Sequence, residues 1–174
     1  MEPFVHALIP LAFLLALFPN LDKKYVLSLV PIVWIIDLDS FIGVHRFTFH
    51  NIFFVLALAL IAYLIWKNRI AFWVALYYGM SHLILDLSMP GPAWLYPLVQ
   101  KTFYLDVSIQ KATSWMFNID TGSLTMGEYN TLFGNLPVQT YVGEPAVLFY
   151  ILFSVLIITY VILKYKRKSK KSQA

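Results

Sequence analysis

Apolar residues dominate five stretches of the chain, at residues 3–18, 25–42, 51–66, 70–87 and 145–165. A membrane-spanning helix needs roughly 20 mainly apolar residues to cross about 30 Å of hydrocarbon, and each stretch approaches that length. The fifth is the most uniformly apolar, whereas the first is short and the second contains a proline and two acids. The pattern predicts an all-α, polytopic bundle of about five transmembrane helices.

Basic residues lie in alternate connections between these stretches. Lys23 and Lys24 follow the first stretch, Lys67 and Arg69 follow the third, and six more occupy residues 164–171. Because short loops rich in Lys and Arg are retained in the cytoplasm, this spacing predicts an outside N-terminus and an inside C-terminus. Ten of the 13 Lys and Arg residues then lie on the cytoplasmic side.

The long segment at residues 88–144 then lies outside the cell. It contains an amphipathic stretch around residues 104–117 and a turn-rich portion at residues 118–123 that resembles a hairpin connection. Its many aromatic residues favour a cap at the level of the lipid headgroups, with an ordinary interfacial loop as the alternative. We therefore predict one membrane domain over residues 1–165, which includes this cap, and a basic cytoplasmic tail at residues 166–174.

Composition agrees with a membrane protein. The 174 residues are 60% hydrophobic and only 13% charged, which excludes an ordinary soluble domain. The net charge of +4 comes largely from the tail, so it does not indicate nucleic-acid binding. The chain has no cysteine, so any transition-metal site must use His and carboxylate ligands. A start without basic residues and without a small-residue cleavage site predicts no secretory signal peptide.

Several ionisable side chains lie within or at the ends of the apolar stretches, where a charge at mid-membrane costs about 2.5 to 3.5 kcal/mol or more. A helix rises about 1.5 Å per residue, so the depth of each group can be measured from the cytoplasmic end of its helix. All lie roughly 18 to 24 Å from those ends. The sequence therefore predicts one polar pocket beneath the outer headgroups, formed by His6, Asp37, Asp39, His50, His82 and Asp86.

Two pairs within this group have more than one interpretation. His82 and Asp86 are four residues apart, so they share a helical face and either bind one ion or hydrogen-bond each other as a structural pair. Asp37 and Asp39 point some 200° apart on a regular helix. Either only one of them is a ligand, or the helix unwinds there.

The short connection before the third stretch holds His45, Arg46 and His50. The planar guanidinium of Arg46 fits phosphate oxygens through two hydrogen bonds, which indicates an anion clamp. The alternative is that Arg46 only balances the charge of neighbouring carboxylates. His45 is a metal ligand, a partner of an Asp carboxylate or a contact to lipid headgroups.

These motifs, in this order, resemble the YdjM-like family of membrane-bound metal-dependent hydrolases. The family pattern is an early His, an Asp-x-Asp, a His-Arg-x-x-Thr-His, and a His-x-x-x-Asp followed by a segment with proline. The resemblance covers roughly the first hundred residues, and the chain departs from it at Ile36, where the family has Pro, and at Phe49, where it has Thr. The matching positions are His6, Asp37-Leu-Asp39, His45-Arg-Phe-Thr-Phe-His50, His82-Leu-Ile-Leu-Asp86 and Leu95-Tyr-Pro97.

The resemblance implies a divalent metal, most simply zinc, because the family is distantly similar to zinc-dependent phospholipase C and related single-strand nucleases. A second His-x-x-x-acid pair of those nucleases has no counterpart here. The implied general base, or the residue that orients a ligand His, is an Asp of the Asp-x-Asp pair. The implied metal ligands are His6, Asp37, His50, His82 and Asp86, and the catalytic candidates are Asp39, His45 and Arg46.

The implied reaction is hydrolysis of a phosphate ester, with a phospholipid or lipid phosphate reached from the outer leaflet of a prokaryotic plasma membrane. The lipid bilayer is the expected partner, and no nucleic acid is expected. Two alternatives stay open. Intramembrane His and Asp also form relays in ion or metal transporters, although these usually show repeats and sites near the midplane. The cluster can also be a non-catalytic device that fixes helix packing in a structural membrane protein.

Overall fold

The computed structural model describes residues 3–111 and 115–133 of the 174-residue chain. The described part is mostly helical, with one small sheet that follows the sixth helix. The predicted fifth span at residues 145–165 and the basic tail lie outside the described residues. The helices are α1 Pro3–Leu17, α2 Lys23–Ser28, α3 Ile32–Ile36, α4 Asp39–Ile42, α5 Ile52–Trp66, α6 Arg69–Leu85 and α7 Met126–Phe133, and the strands are β1 Lys101–Lys111 and β2 Trp115–Thr125.

The second apolar stretch is helical but interrupted. A turn at residues 29–31 separates α2 from α3, where Pro31 cannot donate a backbone hydrogen bond. A second turn at Asp37 and Leu38 separates α3 from α4. Asp37 and Leu38 keep right-handed helical dihedrals, and i to i+3 hydrogen bonds replace the α-helical ones there. The helix is therefore tightened between the two acids and is not unwound. Taken together, Lys23–Ile42 is the only segment of the described residues that is both long and apolar enough to span a membrane.

The other three predicted spans in the described region form helices that stop short. α1 and α5 have 15 residues each and α6 has 17, so they rise about 22 to 26 Å instead of the roughly 30 Å of a hydrocarbon core. Their ends have local causes. The Asn51 side chain accepts from Phe54 N and so caps the start of α5, and Lys67 ends that helix in a left-handed conformation. The structure therefore does not support five spans.

The helix α6 is the centre of the bundle, because it contacts α5, α1, α2 and α3. α5 and α6 are joined by a tight turn and approach closely at Gly79, where an added Cβ would lie 2.5 Å from Val55 Cγ1. Small residues at a helix interface let the backbones come together. By contrast, α5 turns Leu60, Leu64 and Ile65 outward, each more than half exposed.

The prediction of an all-α fold is wrong in the cap, where β1 and β2 pair in an antiparallel hairpin. The amphipathic stretch alternates with a period of two, which suits a strand, and Phe103, Leu105 and Val107 are exposed on one face. The predicted hairpin connection at residues 118–123 is also wrong, since these residues lie inside β2. Gly122 is not a turn residue there. It pairs with Tyr104, whose hydroxyl occupies the space that a side chain at Gly122 would need.

The hairpin and α7 are attached to the end of the bundle at which α6 ends. Leu105 N donates to Leu87 O at 2.8 Å, just beyond α6, and Phe103 N donates to Pro92 O at 3.1 Å. α7 begins directly after β2, where Thr125 and Glu128 hydrogen-bond each other reciprocally in a capping box. These contacts place α7 beside the connection that precedes α5.

Candidate metal centre

Ionisable side chains from four parts of the fold meet at one end of the helical bundle. All but Asp37, His45 and Arg46 are less than 4% exposed. The predicted meeting of polar groups from distant helices is confirmed by their contacts. The group comprises His6 from α1, Asp37 and Asp39 around the turn between α3 and α4, His45, Arg46 and His50 from the connection before α5, and His82 and Asp86 from the end of α6.

Four of these residues direct one ligand atom each toward a common point. The donor atoms of Asp37, His50, His82 and Asp86 all lie within 4.8 Å of one another. His50 Nε2 lies 3.2 Å from His82 Nε2. The two nitrogens lie 3.1 and 3.2 Å from Asp86 Oδ2. They lie 3.5 and 3.4 Å from Asp37 Oδ1.

These distances can be compared with those of a tetrahedral metal site. Nitrogen and oxygen ligands at about 2.0 to 2.1 Å from a tetrahedral zinc are separated from each other by about 3.3 to 3.4 Å. The five donor separations above, from 3.1 to 3.5 Å, cluster around that edge length. The four residues are therefore arranged as ligands of one small cation would be.

The hydrogen-bonding roles lead to the same conclusion. His50 Nδ1 lies 2.7 Å from Asp39 Oδ2, so in a neutral imidazole this nitrogen carries the proton and donates it. His50 Nε2 then presents a lone pair to another imidazole and to two carboxylate oxygens. Such lone pairs repel unless protons or a cation lie between them. Two carboxylates and two neutral imidazoles match a divalent metal in both charge and donor type.

A second group, Asp39, His45 and His50, also has its donor atoms within 4.8 Å. Here the separations are shorter, with Asp39 Oδ1 2.8 Å from His45 Nδ1 and Oδ2 2.7 Å from His50 Nδ1. These are hydrogen-bond lengths and are too short for the edge of a metal tetrahedron. Asp39 is fully buried, and its Oδ2 also accepts from Phe49 N at 3.3 Å. This group therefore orients His50, in the arrangement found behind many metal-ligating imidazoles.

Asp86 is held from two further directions. His6 Nε2 lies 3.0 Å from its Oδ1, which is not the oxygen that approaches His50 and His82. The Arg46 guanidinium uses Nη1 to reach both Asp86 Oδ2, at 2.8 Å, and the Asp86 backbone oxygen, at 3.0 Å. Both of these contacts join the connection before α5 to the end of α6.

The connection that carries His45, Arg46 and His50 is shaped by its own polar residues. Thr48 Oγ1 accepts from Val44 N at 3.0 Å and donates to Val44 O at 3.2 Å. Asn51 Nδ2 donates to Thr48 O at 2.9 Å. Arg46 has a φ of 69°, a left-handed conformation that costs an ordinary residue about 1 to 2 kcal/mol. This conformation turns the chain sharply between the two histidines.

Comparison with known proteins places the chain among membrane proteins. A family model described as YdjM inner membrane protein matches residues 1–169. The chain belongs to this family. No curated protein and no solved structure matches the chain.

In this YdjM family member, the structure separates the predicted ligands into two sets. Asp37, His50, His82 and Asp86 form the four-donor group, whereas His6 contacts Asp86 and stands outside it. The two acids of the Asp-x-Asp pair contact opposite nitrogens of His50, with Asp37 toward Nε2 and Asp39 at Nδ1. Asp39 is therefore hydrogen-bonded to one nitrogen of His50, whereas Asp37 lies with the four-donor group at the other nitrogen.

Several residues that support the candidate site were not identified from the sequence. Ser40 Oγ lies 3.0 Å from His45 Nδ1, and Asn51 and Thr48 hold the connection. Asn51 had a usable signal, because an asparagine directly before an apolar run is a helix N-cap. His82 Nδ1 is fully enclosed and has no hydrogen-bond partner among the described residues. The described part of the chain therefore orients His50 but supplies no equivalent bond behind His82.

Proposed function

We propose that this chain is a membrane-embedded, metal-dependent hydrolase of a phosphate ester, with a phospholipid or lipid phosphate as the substrate class. The observation that carries the proposal is the set of five donor separations of 3.1 to 3.5 Å among Asp37, His50, His82 and Asp86. Membership of an inner membrane protein family adds the location. Zinc suits the site best, because it favours four-coordinate nitrogen and oxygen ligands.

When bound, such a metal supplies Lewis acidity, which polarises a phosphate ester and brings the pKa of water toward 7. The residues of the chain have separate tasks around it. Asp39 fixes the orientation of His50 through the 2.7 Å hydrogen bond. His45, which is 35% exposed at its side chain and bonded to Asp39, is the group best placed to exchange a proton with solvent.

Arg46 is the anion-binding group in this proposal. It is only 11% exposed at its side chain and is fixed by Asp86, so its charge is oriented before a substrate arrives. The guanidinium has five N–H donors, which is more than its contacts to Asp86 through Nη1 require. A phosphate oxygen is the ligand that a planar guanidinium binds best.

We further propose that the site faces the extracytoplasmic side. The two turns that carry Lys23 and Lys24, and Lys67 and Arg69, then face the cytoplasm. The structure supports the common location of the two basic turns, because Lys24 Nζ lies 4.4 Å from the Trp66 ring, next to Lys67. This end of the bundle is remote from His82, which lies about 20 Å along α6 from Arg69. In this arrangement residues 1–165 form one membrane domain, and residues 166–174 are a cytoplasmic tail.

The test is metal content together with metal-dependent hydrolysis. Purified protein in detergent is expected to contain about one zinc per chain by elemental analysis, and to release phosphate from a lipid phosphate in a chelator-sensitive way. His82→Ala should lose both. Ser28→Ala, a buried substitution on α2 outside the site, should keep both. Chelator-resistant hydrolysis, or full activity in His82→Ala, would disprove the proposal.

The two rival functions predict different results in the same preparation. A transporter would move metal into proteoliposomes without cleaving an ester. A structural cluster would contain no stoichiometric metal, and alanine substitutions would change only the unfolding transition.

A further inference from the structure

Tyr129, on the cap helix α7, lies closer to the candidate site than its sequence position suggests. Its side chain is 7% exposed, and its ring packs edge-on against Phe47 at a centroid distance of 5.3 Å. Phe47 is fully buried and directly follows Arg46. The cap therefore brings an aromatic hydroxyl to the connection that supplies the anion-binding guanidinium.

The hydroxyl of Tyr129 has no assigned structural task. It makes no hydrogen bond to any of the residues that the structure describes. A buried tyrosine ring usually finds a partner for its hydroxyl, which makes a hydroxyl without a bond among those residues informative.

Two charged groups of the site act on the pKa of this hydroxyl. Burial raises the pKa of Tyr129, the Arg46 guanidinium lowers it, and the Asp39 carboxylate raises it. Both charged groups belong to the site described above, so the hydroxyl lies within their electrostatic reach. A phenol is protonated at neutral pH and burial favours that form further, so the hydroxyl can donate a hydrogen bond to an anion.

We infer that Tyr129 is a substrate-binding residue, whose hydroxyl donates to an oxygen of the same phosphate group that Arg46 binds. The inference deepens the proposed function and rests on it, because it names a second contact to the phosphate. It also gives the cap a task, since α7 and the hairpin then complete the anion site instead of only covering it.

The test uses Tyr129→Phe, which keeps the ring that packs on Phe47 and removes only the hydroxyl. Binding of inorganic phosphate and of a short-chain phosphatidic acid is measured by calorimetry on the full, zinc-loaded chain in detergent. We expect about a 10-fold to 100-fold weaker Kd for at least one of the two ligands, which is the usual loss for a hydrogen bond to a charged group. The ligand that binds wild type more tightly identifies a free or a lipid phosphate as the natural source.

Tyr96→Phe is the matched control. Tyr96 also contacts Phe47, at 5.8 Å, so its variant removes a hydroxyl from the same aromatic cluster. Its phosphate affinity should equal that of wild type. The thermal unfolding midpoints of both variants should also stay at the wild-type value, because neither substitution opens a cavity.

The outcomes separate this inference from the proposed function. If wild type contains zinc and cleaves the ester, but Tyr129→Phe leaves both Kd values and the KM unchanged, the inference is overturned and the hydrolase proposal stands. If wild type cleaves nothing, yet Tyr129→Phe alone weakens phosphate binding, the hydrolase proposal fails and the anion contact stands. Equal weakening in Tyr96→Phe would assign the effect to the aromatic cluster and overturn the inference.

Discussion

The carboxylate of Asp39 lies beside the candidate four-donor group and bridges two histidines. Both of its oxygens are committed, one to His45 at 2.8 Å and one to His50 at 2.7 Å. A neutral His50 bonded in this way must expose its Nε2 lone pair to the four-donor group. The depth of Asp39 in its apolar stretch could be predicted from sequence, but the choice between Asp37 and Asp39 could not. That choice depends on the turn that separates α3 from α4.

Replacing Asp39 with Asn should therefore weaken metal binding without removing a ligand. The amide keeps the size of the carboxylate but loses its charge, so the proton on His50 Nδ1 is held less firmly. We expect zinc affinity to fall about 10-fold to 100-fold, the usual effect of removing a partner behind a ligand His. Competition with a chelator of known affinity measures this change.

Asp106→Asn is the control for that measurement, because Asp106 is exposed on the hairpin and loses the same charge. Its zinc affinity should equal that of wild type. Wild-type affinity in Asp39→Asn would contradict the role given to Asp39.

At the scale of elements, the close approach of α5 and α6 determines the distance between His50 and His82. Gly79 lies one turn before His82 and faces Val55, with no room for a methyl group. Gly79→Ala should destabilise the protein by about 1 to 3 kcal/mol, because overpacking forces the helices apart. The same shift should weaken zinc binding. Denaturant unfolding in detergent and metal content measure the two effects.

Gly127→Ala provides the comparison, since among the described residues an added Cβ there meets only Thr125 Oγ1, at 3.9 Å. In a helix, replacing Gly with Ala usually stabilises by about 1 kcal/mol. We therefore expect opposite signs at the two glycines. A destabilised Gly127→Ala, or a neutral Gly79→Ala, would mean that the helices do not pack as described.

The capping box at the start of α7 makes the cap sensitive to acid. The backbone N–H and the hydroxyl of Thr125 both donate to Glu128, and they hold the pKa of that carboxyl below its usual value of 4.5. A lowered pKa in the folded state means that the ionised form stabilises the helix above about pH 4.5. That stabilisation is lost as the pH falls through the lower, folded pKa.

Hydrogen-exchange protection factors at residues 126–133 should therefore fall on acidification below pH 4.5 in wild type. Glu128→Gln should show lower protection at pH 7 and little further change at low pH. An unaltered pH dependence in Glu128→Gln would rule out the capping box as its source.

The elements differed in how far they could be predicted, and the reasons are physical. Hydrophobicity alone located α1, α5 and α6, but their lengths depend on caps such as Asn51 and on the left-handed Lys67. The strand β2 was missed because residues 118–123 have the composition of a turn. Gly122 is needed inside the strand to accommodate the Tyr104 ring, and this cross-strand packing is not visible in a single sequence.

At the scale of the whole molecule, the described helices form a bundle with two chemically different ends. One end carries Lys24 stacked on Trp66, near Lys67 and Arg69. The other carries the buried His and Asp cluster and the hairpin. Because basic residues are retained in the cytoplasm, this polarity favours an outward-facing site. Depth along each helix could be predicted from sequence, whereas the lengths of α5 and α6 could not, because these helices begin and end at local caps.

The absence of cysteine in the chain permits a direct test of this orientation. We expect Asp120→Cys, on the exposed face of β2, to react with a membrane-impermeant maleimide in intact spheroplasts. Asn20→Cys, in the exposed turn between α1 and α2, should react only after lysis. Both positions are exposed, so a difference between them reports the side of the membrane and not burial. The reverse pattern would place the site in the cytoplasm, and a lipid phosphate of the outer leaflet could then not be its substrate.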